Sequence, residues 1–94
     1  MKIEFDPEKS ERNRLQRELP FERAMEFNWE NAVFFEDDRN LYPERRFIAV
    51  GYLDDRLHVL CFTPIAGGVR VISFRKANER EAKRHGKTLT LDQR

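Results

Sequence analysis

The sequence predicts an α+β fold: N-terminal helices packed on a three- to four-stranded antiparallel sheet, with a basic C-terminal helix after the last strand. Three observations predict it. Helix starts are written at Asp6-Pro7 and at Pro20. Three runs rich in Val, Ile and Phe follow at 46–53, 56–63 and 69–75, joined by gaps too short to connect anything but antiparallel neighbours. Asn78, with Glu81 three residues later, then supplies a capping box for a final helix.

Taken in order, Lys2 to Phe5 alternates polar and apolar residues, which suits a short strand. The helix expected from Pro7 to Arg17 is almost wholly charged, with Leu15 its only large apolar residue. Charge pairs such as Glu8 with Arg12 are expected to support it, with weak packing and mobile ends. After Pro20, the spacing of Phe21, Ala24 and Met25 marks the apolar stripe of a second short helix lying on the sheet. Residues 33–36 read as one more short strand. Asp54-Asp55 and the stretch 64–68, with its Gly67-Gly68 pair, read as hairpin connections. Ala77 and Ala82 have the spacing of a hydrophobic staple around the last cap, and Gly86 is a stop signal. Residues 88–94 lack apolar periodicity and read as a tail.

A length of 94 residues bounds the chain to one domain, 1–94, and eight Phe with one Trp can fill its small core. The single cysteine, Cys61, excludes an intramolecular disulfide, and its apolar neighbours suggest a buried thiol rather than a nucleophile. No apolar run approaches the roughly 20 residues of a membrane span and no secretory leader is evident, so a cytoplasmic protein is expected. The net charge of +1 hides an asymmetry. Residues 1–44 carry twelve acidic and seven basic side chains, whereas residues 70–87 carry seven basic and two acidic. A basic C-terminal segment on a nearly neutral chain suits a nucleic-acid groove, and equally an ordinary solvated helix.

The strongest local signal is Arg70-Val71-Ile72-Ser73-Phe74-Arg75-Lys76-Ala77-Asn78-Glu79-Arg80-Glu81, a strand running straight into a capped helix while displaying basic side chains. It resembles the junction of the BrnT family, Arg-Ile-Ile-Ser-Ala-Arg-Lys-Ala-x-x-x-Glu, at Arg70, Ile72, Ser73, Arg75, Lys76, Ala77 and Glu81. The resemblance extends upstream through Phe5-Asp6-Pro7-Glu8-Lys9, Asn13, Phe21-Glu22, Ala24, Asp37-Asp38-Arg39 and Glu44-Arg45-Arg46-Phe47-Ile48-Ala49-Val50-Gly51. The chain departs from the family at Arg17-Glu18-Leu19, where Lys-His-Gly is usual, and at His85, which replaces a late Tyr. The resemblance implies a RelE-like fold and the RNA-cleaving toxin of a bacterial type II toxin–antitoxin pair, which depresses translation. It also implies neutralisation by a cognate ribbon-helix-helix, BrnA-like antitoxin, in a complex that holds at least two toxin copies and binds operator DNA.

Cleavage of RNA by its own 2′-hydroxyl requires a positioned phosphate, stabilisation of the charge that builds on it, and proton transfer. Arginine forks meet the first two needs without a metal, which makes Arg75 and Arg80 the candidate phosphate holders, with Ser73 adding a hydrogen bond. Strand alternation puts Ser73 and Arg75 on one face with Val71, and Arg70 on the other with Ile72 and Phe74, unless a bulge intervenes. Arg80, Lys83, Arg84 and Lys87 recur at helical spacing, a stripe that can follow an RNA backbone and that an exposed helix also shows. Arg70, Lys76, Lys83 and Arg84 are therefore the candidate RNA-binding residues. For proton transfer the candidates are Glu44 and His58, neither in a recognised acid–base motif. Asp37-Asp38 and Asp54-Asp55 read as turn residues rather than metal ligands, and Gly67-Gly68 as a hairpin rather than a phosphate loop, so neither metal nor cofactor is called for. The leading expectation is a metal-independent endoribonuclease. Its rivals are a non-catalytic nucleic-acid-binding or translation-interfering module and a pure interaction protein.

Overall fold

A computed structural model describes residues 1–91. The expected short strand is present as β1, Lys2–Glu4. Helix α1 spans Pro7–Arg17, with the Asp6 side chain accepting the Glu8 N–H at 2.9 Å as its N-cap. Its ion pair is Glu11 with Arg14 rather than Glu8 with Arg12. Leu15 faces solvent at 69% exposure, and the buried residues of the helix are Ser10 and Asn13. Polar contacts therefore hold α1 down. Ser10 Oγ accepts the Phe21 N–H at 2.9 Å and donates to Glu22 at 3.1 Å.

The second helix, Phe21–Glu26, is a 3₁₀ helix. With three residues per turn, the side chains that fall inward are Phe21, Ala24 and then Phe27, while Met25 is 57% exposed. The apolar stripe thus follows a spacing of three rather than the α-helical one expected.

The sheet corrects the expected architecture most. It has five strands in the order β1-β5-β4-β3-β2, where β2 is Val33–Glu36, β3 Phe47–Leu53, β4 Arg56–Ile65 and β5 Gly68–Lys76. The meander β2-β3-β4-β5 is antiparallel as expected, but β1 adds parallel to β5, so the sheet is mixed and five-stranded. The RelE-like expectation in its three- to four-stranded antiparallel form is replaced accordingly. Gly68 makes this addition feasible: a Cβ there would stand 1.9 Å from the Lys2 carbonyl oxygen. The hairpin turn is consequently Ala66-Gly67, with Gly67 at φ +79°, rather than Gly67-Gly68. Asp54 and Asp55 both adopt positive φ, 51° and 61°, the geometry that a tight two-residue hairpin of this hand requires.

Strands β3 and β4 are buried on both faces. On one side, Phe21, Phe27, Leu60, Phe62 and Phe74 form a core beneath α1 and the 3₁₀ helix. On the other, Ile48, Val50, Leu57, Val59 and Cys61 pack with Ala77 and Ala82. Helix α2, Glu79–Arg84, is only six residues long and covers little of that second face. Its capping box is formed as expected, and the staple residues Ala77 and Ala82 are both buried. Residues 88–91 do not behave as a free tail. The Leu57 N–H donates to the Leu89 carbonyl at 2.7 Å, Tyr52 Oη to the Thr88 carbonyl at 2.8 Å, and Thr90 bridges Arg56. The rest of the expected tail, residues 92–94, lies outside the described residues.

Candidate active site

The second face of the sheet, incompletely covered by the short α2, is open as a cleft of about 380 Å³. Its floor is apolar: Ile48, Val50, Val59, Cys61 and Ile72. One wall comes from the β5–α2 junction with Ser73, Arg75, Glu81, Arg84 and His85, and the other from the end of β2 and the β2–β3 loop with Phe35, Asp37, Arg39, Tyr42 and Arg46.

A β-bulge decides which β5 side chains reach the cleft. Cys61 pairs with Ser73 but Phe62 pairs with Val71, so Ile72 is an extra residue and alternation restarts there. Val69, Val71 and Phe74 accordingly all point into the helix-covered core, while Ile72, Ser73 and Arg75 line the cleft. Without the bulge, Val71 would share the face of Ser73 and Arg75.

Arg75 is held by a two-pronged ion pair: Nη1 donates to Glu81 Oε1 at 3.0 Å and Nη2 to Oε2 at 2.6 Å. Glu81 also accepts the Asn78 N–H at 3.0 Å, so one carboxylate both caps α2 and aims the guanidinium. Hydrogen bonding from Arg75 holds the Glu81 carboxyl down at about 2, against the opposing pull of burial, and raises Arg75 itself. His85 closes α2 and stacks on Phe35, with ring centroids 5.4 Å apart and planes at 17°.

The opposite wall is organised by Asp37, whose side chain is 2% exposed. It accepts from Arg39 Nε at 2.7 Å and Nη2 at 2.8 Å and from Tyr42 Oη at 3.4 Å, and the Arg39 pairing keeps its pKa down at about 2. Arg46 lies over the Tyr42 ring, 4.0 Å from its centroid. The Asp37 N–H donates to the Arg46 carbonyl at 2.8 Å, which folds the loop 37–46 back on itself at the neck. Cys61, at the floor, is a free buried thiol whose pKa burial pushes up. Among the described residues no group of three or more His, Cys, Asp or Glu side chains is gathered to hold a metal ion.

Of the residues singled out from sequence, Ser73, Arg75 and Arg84 come together here. Arg80 and Lys83 are exposed on α2 outside the cleft lining, and Lys76 is exposed beside Arg75 in a shallow depression with Arg17 and Leu19. Arg70 is paired with Glu4 at 3.2 Å, away from the cleft. Glu44 lies 3.6 Å from Arg46 on the outer side of the loop. His58 is on the other face of the sheet, 4% exposed, its Nδ1 donating to the Arg56 carbonyl at 2.7 Å and its ring against Phe74. Burial lowers its pKa, and it has no access to the cleft. Sequence reasoning gave no role to Arg39, Tyr42 and Arg46, although Asp37-Asp38-Arg39 and Glu44-Arg45-Arg46 carried part of the family resemblance. His85 stood out only as a departure from the family pattern.

No curated protein matches the chain. A family model described as the ribonuclease toxin, BrnT, of type II toxin–antitoxin systems matches residues 5–81, a span that takes in β2 to β5, the whole arginine-bearing loop and the Arg75–Glu81 pair. The chain therefore belongs to the BrnT family of ribonuclease toxins.

Proposed function

We propose that the cleft is the site of metal-independent endoribonucleolytic cleavage, by which the protein inhibits translation. The observation that carries this reading is the Arg75–Glu81 fork at the edge of an open, apolar-floored cleft. A guanidinium fixed by a carboxylate behind it keeps its remaining N–H groups in one orientation and stays ionised at any working pH. Such preorganised donors lower the cost of building negative charge on a phosphate without reorganisation at the moment of reaction. Arg84 adds a second cation on the same wall, and Ser73 a hydroxyl beneath it.

Proton transfer falls to His85 in this reading. Histidine is the side chain best suited to exchange a proton near neutral pH, and His85 is the one imidazole lining the cleft among the described residues. Arg80, Lys83 and Lys76 flank the cleft and would track the RNA backbone beyond the cleaved step.

Membership of a type II family entails a cognate antitoxin. A ribbon-helix-helix, BrnA-like partner that covers the cleft and dimerises through its DNA-binding part would give a complex of at least two toxin copies able to bind operator DNA.

The test is incubation of the purified protein with a defined RNA in EDTA, with the fragment ends identified. Fragments bearing 2′,3′-cyclic phosphate from the wild type, and none from His85→Gln, support the reading. Cleavage that stops in EDTA overturns metal independence, and unimpaired cleavage by His85→Gln removes the proton-transfer assignment.

A further inference from the structure

Two arginines of the β2–β3 loop keep hydrogen-bonding capacity beyond their contacts within the fold. Arg39 is 72% exposed at its side chain yet rigidly aimed, its Nε and Nη2 both committed to Asp37. That leaves three of the five guanidinium N–H groups unengaged at the cleft. Arg46 is packed on Tyr42 with its Nε buried and without a hydrogen-bond partner, the one such side-chain atom among the described residues. The guanidinium so packed lines the cleft, held over the Tyr42 ring.

Asp37 connects the two. It holds Arg39 directly and Tyr42 through the phenol, and Tyr42 in turn carries Arg46. Across the cleft stands Arg75, near enough that the positive charge of Arg39 opposes its own. Glu36, Asp37, Asp38 and Glu81 balance the four arginines of the lining, but the guanidiniums of Arg39 and Arg75 still oppose one another across the gap. An anion between them is attracted by the N–H groups that each leaves unpaired.

Resting on the ribonuclease reading above, we propose that Arg39 and Arg46 form the second wall of a phosphate clamp that closes on the RNA backbone opposite Arg75 and Arg84, with Asp37 as its positioning residue. The clamp binds RNA in the ground state, and chemistry remains with the β5–α2 wall.

The experiment measures binding of a 2′-O-methylated, uncleavable RNA oligonucleotide over a salt series, beside steady-state cleavage of the unmodified RNA. Arg39→Gln removes the cation paired with the buried Asp37, so its fold is verified by near-UV circular dichroism and binding is measured below its melting temperature. The clamp predicts that this variant lowers the slope of log affinity against log salt by about 0.7, one single-strand phosphate contact. It also predicts a KM raised by about fivefold or more with kcat within about threefold. Asp37→Asn gives the same loss of slope, and the double variant loses no more than either single one. Arg39→Lys recovers part of the slope, because a point charge still meets a phosphate.

An unchanged slope and KM in Arg39→Gln, with cleavage still lost in Arg75→Gln, overturns the clamp and leaves the ribonuclease site standing. Additive losses in the double variant overturn the positioning role of Asp37. Undiminished cleavage by Arg75→Gln overturns the ribonuclease reading of the cleft, and the clamp with it.

Discussion

Asn13 and Phe74, sixty-one residues apart, are joined by a buried hydrogen bond from the Asn13 side-chain amide to the Phe74 carbonyl at 2.8 Å. The same amide nitrogen donates to the Leu19 carbonyl at 2.7 Å, so one side chain ties α1 both to the chain that leaves it and to strand β5. A helix without an apolar face is thereby anchored to the strand that carries the cleft.

Replacing Asn13 by Ala removes both donors and strands two buried carbonyls. Chemical denaturation is expected to give a loss of about 3 kcal/mol. Leu15→Ala, at an exposed position, should change stability by less than about 0.5 kcal/mol. Equal losses in the two variants would mean that α1 packs through its apolar residue after all.

Gly68→Ala tests the parallel addition of β1. The new Cβ would overlap the Lys2 backbone, so β1 must detach, with a cost of about 3 kcal/mol. Amide exchange is the direct readout. Protection of Lys2 and Glu4, whose amides face β5, should disappear while the amides of β3 and β4 stay protected.

The antiparallel meander β3-β4-β5 was legible because its strands are contiguous apolar runs with short connectors, and because Asp54-Asp55 and the capping residues sit where local rules put them. The parallel pairing of β1 was not. A parallel partner is chosen by a distant element, and the mark it leaves, a glycine at position 68 beside another glycine, reads first as a turn. In the second helix Phe21, Ala24 and Met25 fit an α-helix on paper. The 3₁₀ spacing became visible only once Phe27 took the third inward position.

The site was half legible. Ser73 and Arg75 stood in the local motif, but their shared face with Ile72 depends on a bulge that periodicity cannot locate. Arg39 and Arg46 enter the cleft because a ten-residue loop folds over it, a tertiary event with no periodic trace. His58 looked available from its strand position. Tertiary packing of Phe74 fills the space in front of it.

Acid should weaken the fold in a defined order. His58 is held below its ordinary 6.5 by burial, so its contribution is present above pH 6.5 and is lost as pH falls below that value. Asp37 and Glu81, held at about 2 against ordinary values of 3.8 and 4.5, contribute above those values and lose their contribution as pH falls towards 2. Thermal melts of Asp37→Asn should lie well below the wild type at pH 7, and the gap should close near pH 2. A gap that persists unchanged in acid would mean that the Asp37–Arg39 pair does not stabilise the fold through its charge.

In the proposed function RNA is cut in the cleft with Arg75 at its edge. The most direct measurement compares kcat/KM for Arg75→Ala with that for Arg70→Ala, an arginine on the same strand outside the cleft, after near-UV circular dichroism has verified both folds. Arg75→Ala is expected to lose about 10²- to 10³-fold, the scale for removing a preorganised charge-stabilising donor, and Arg70→Ala less than about threefold. Comparable activity in the two folded variants would contradict the proposed function of the cleft.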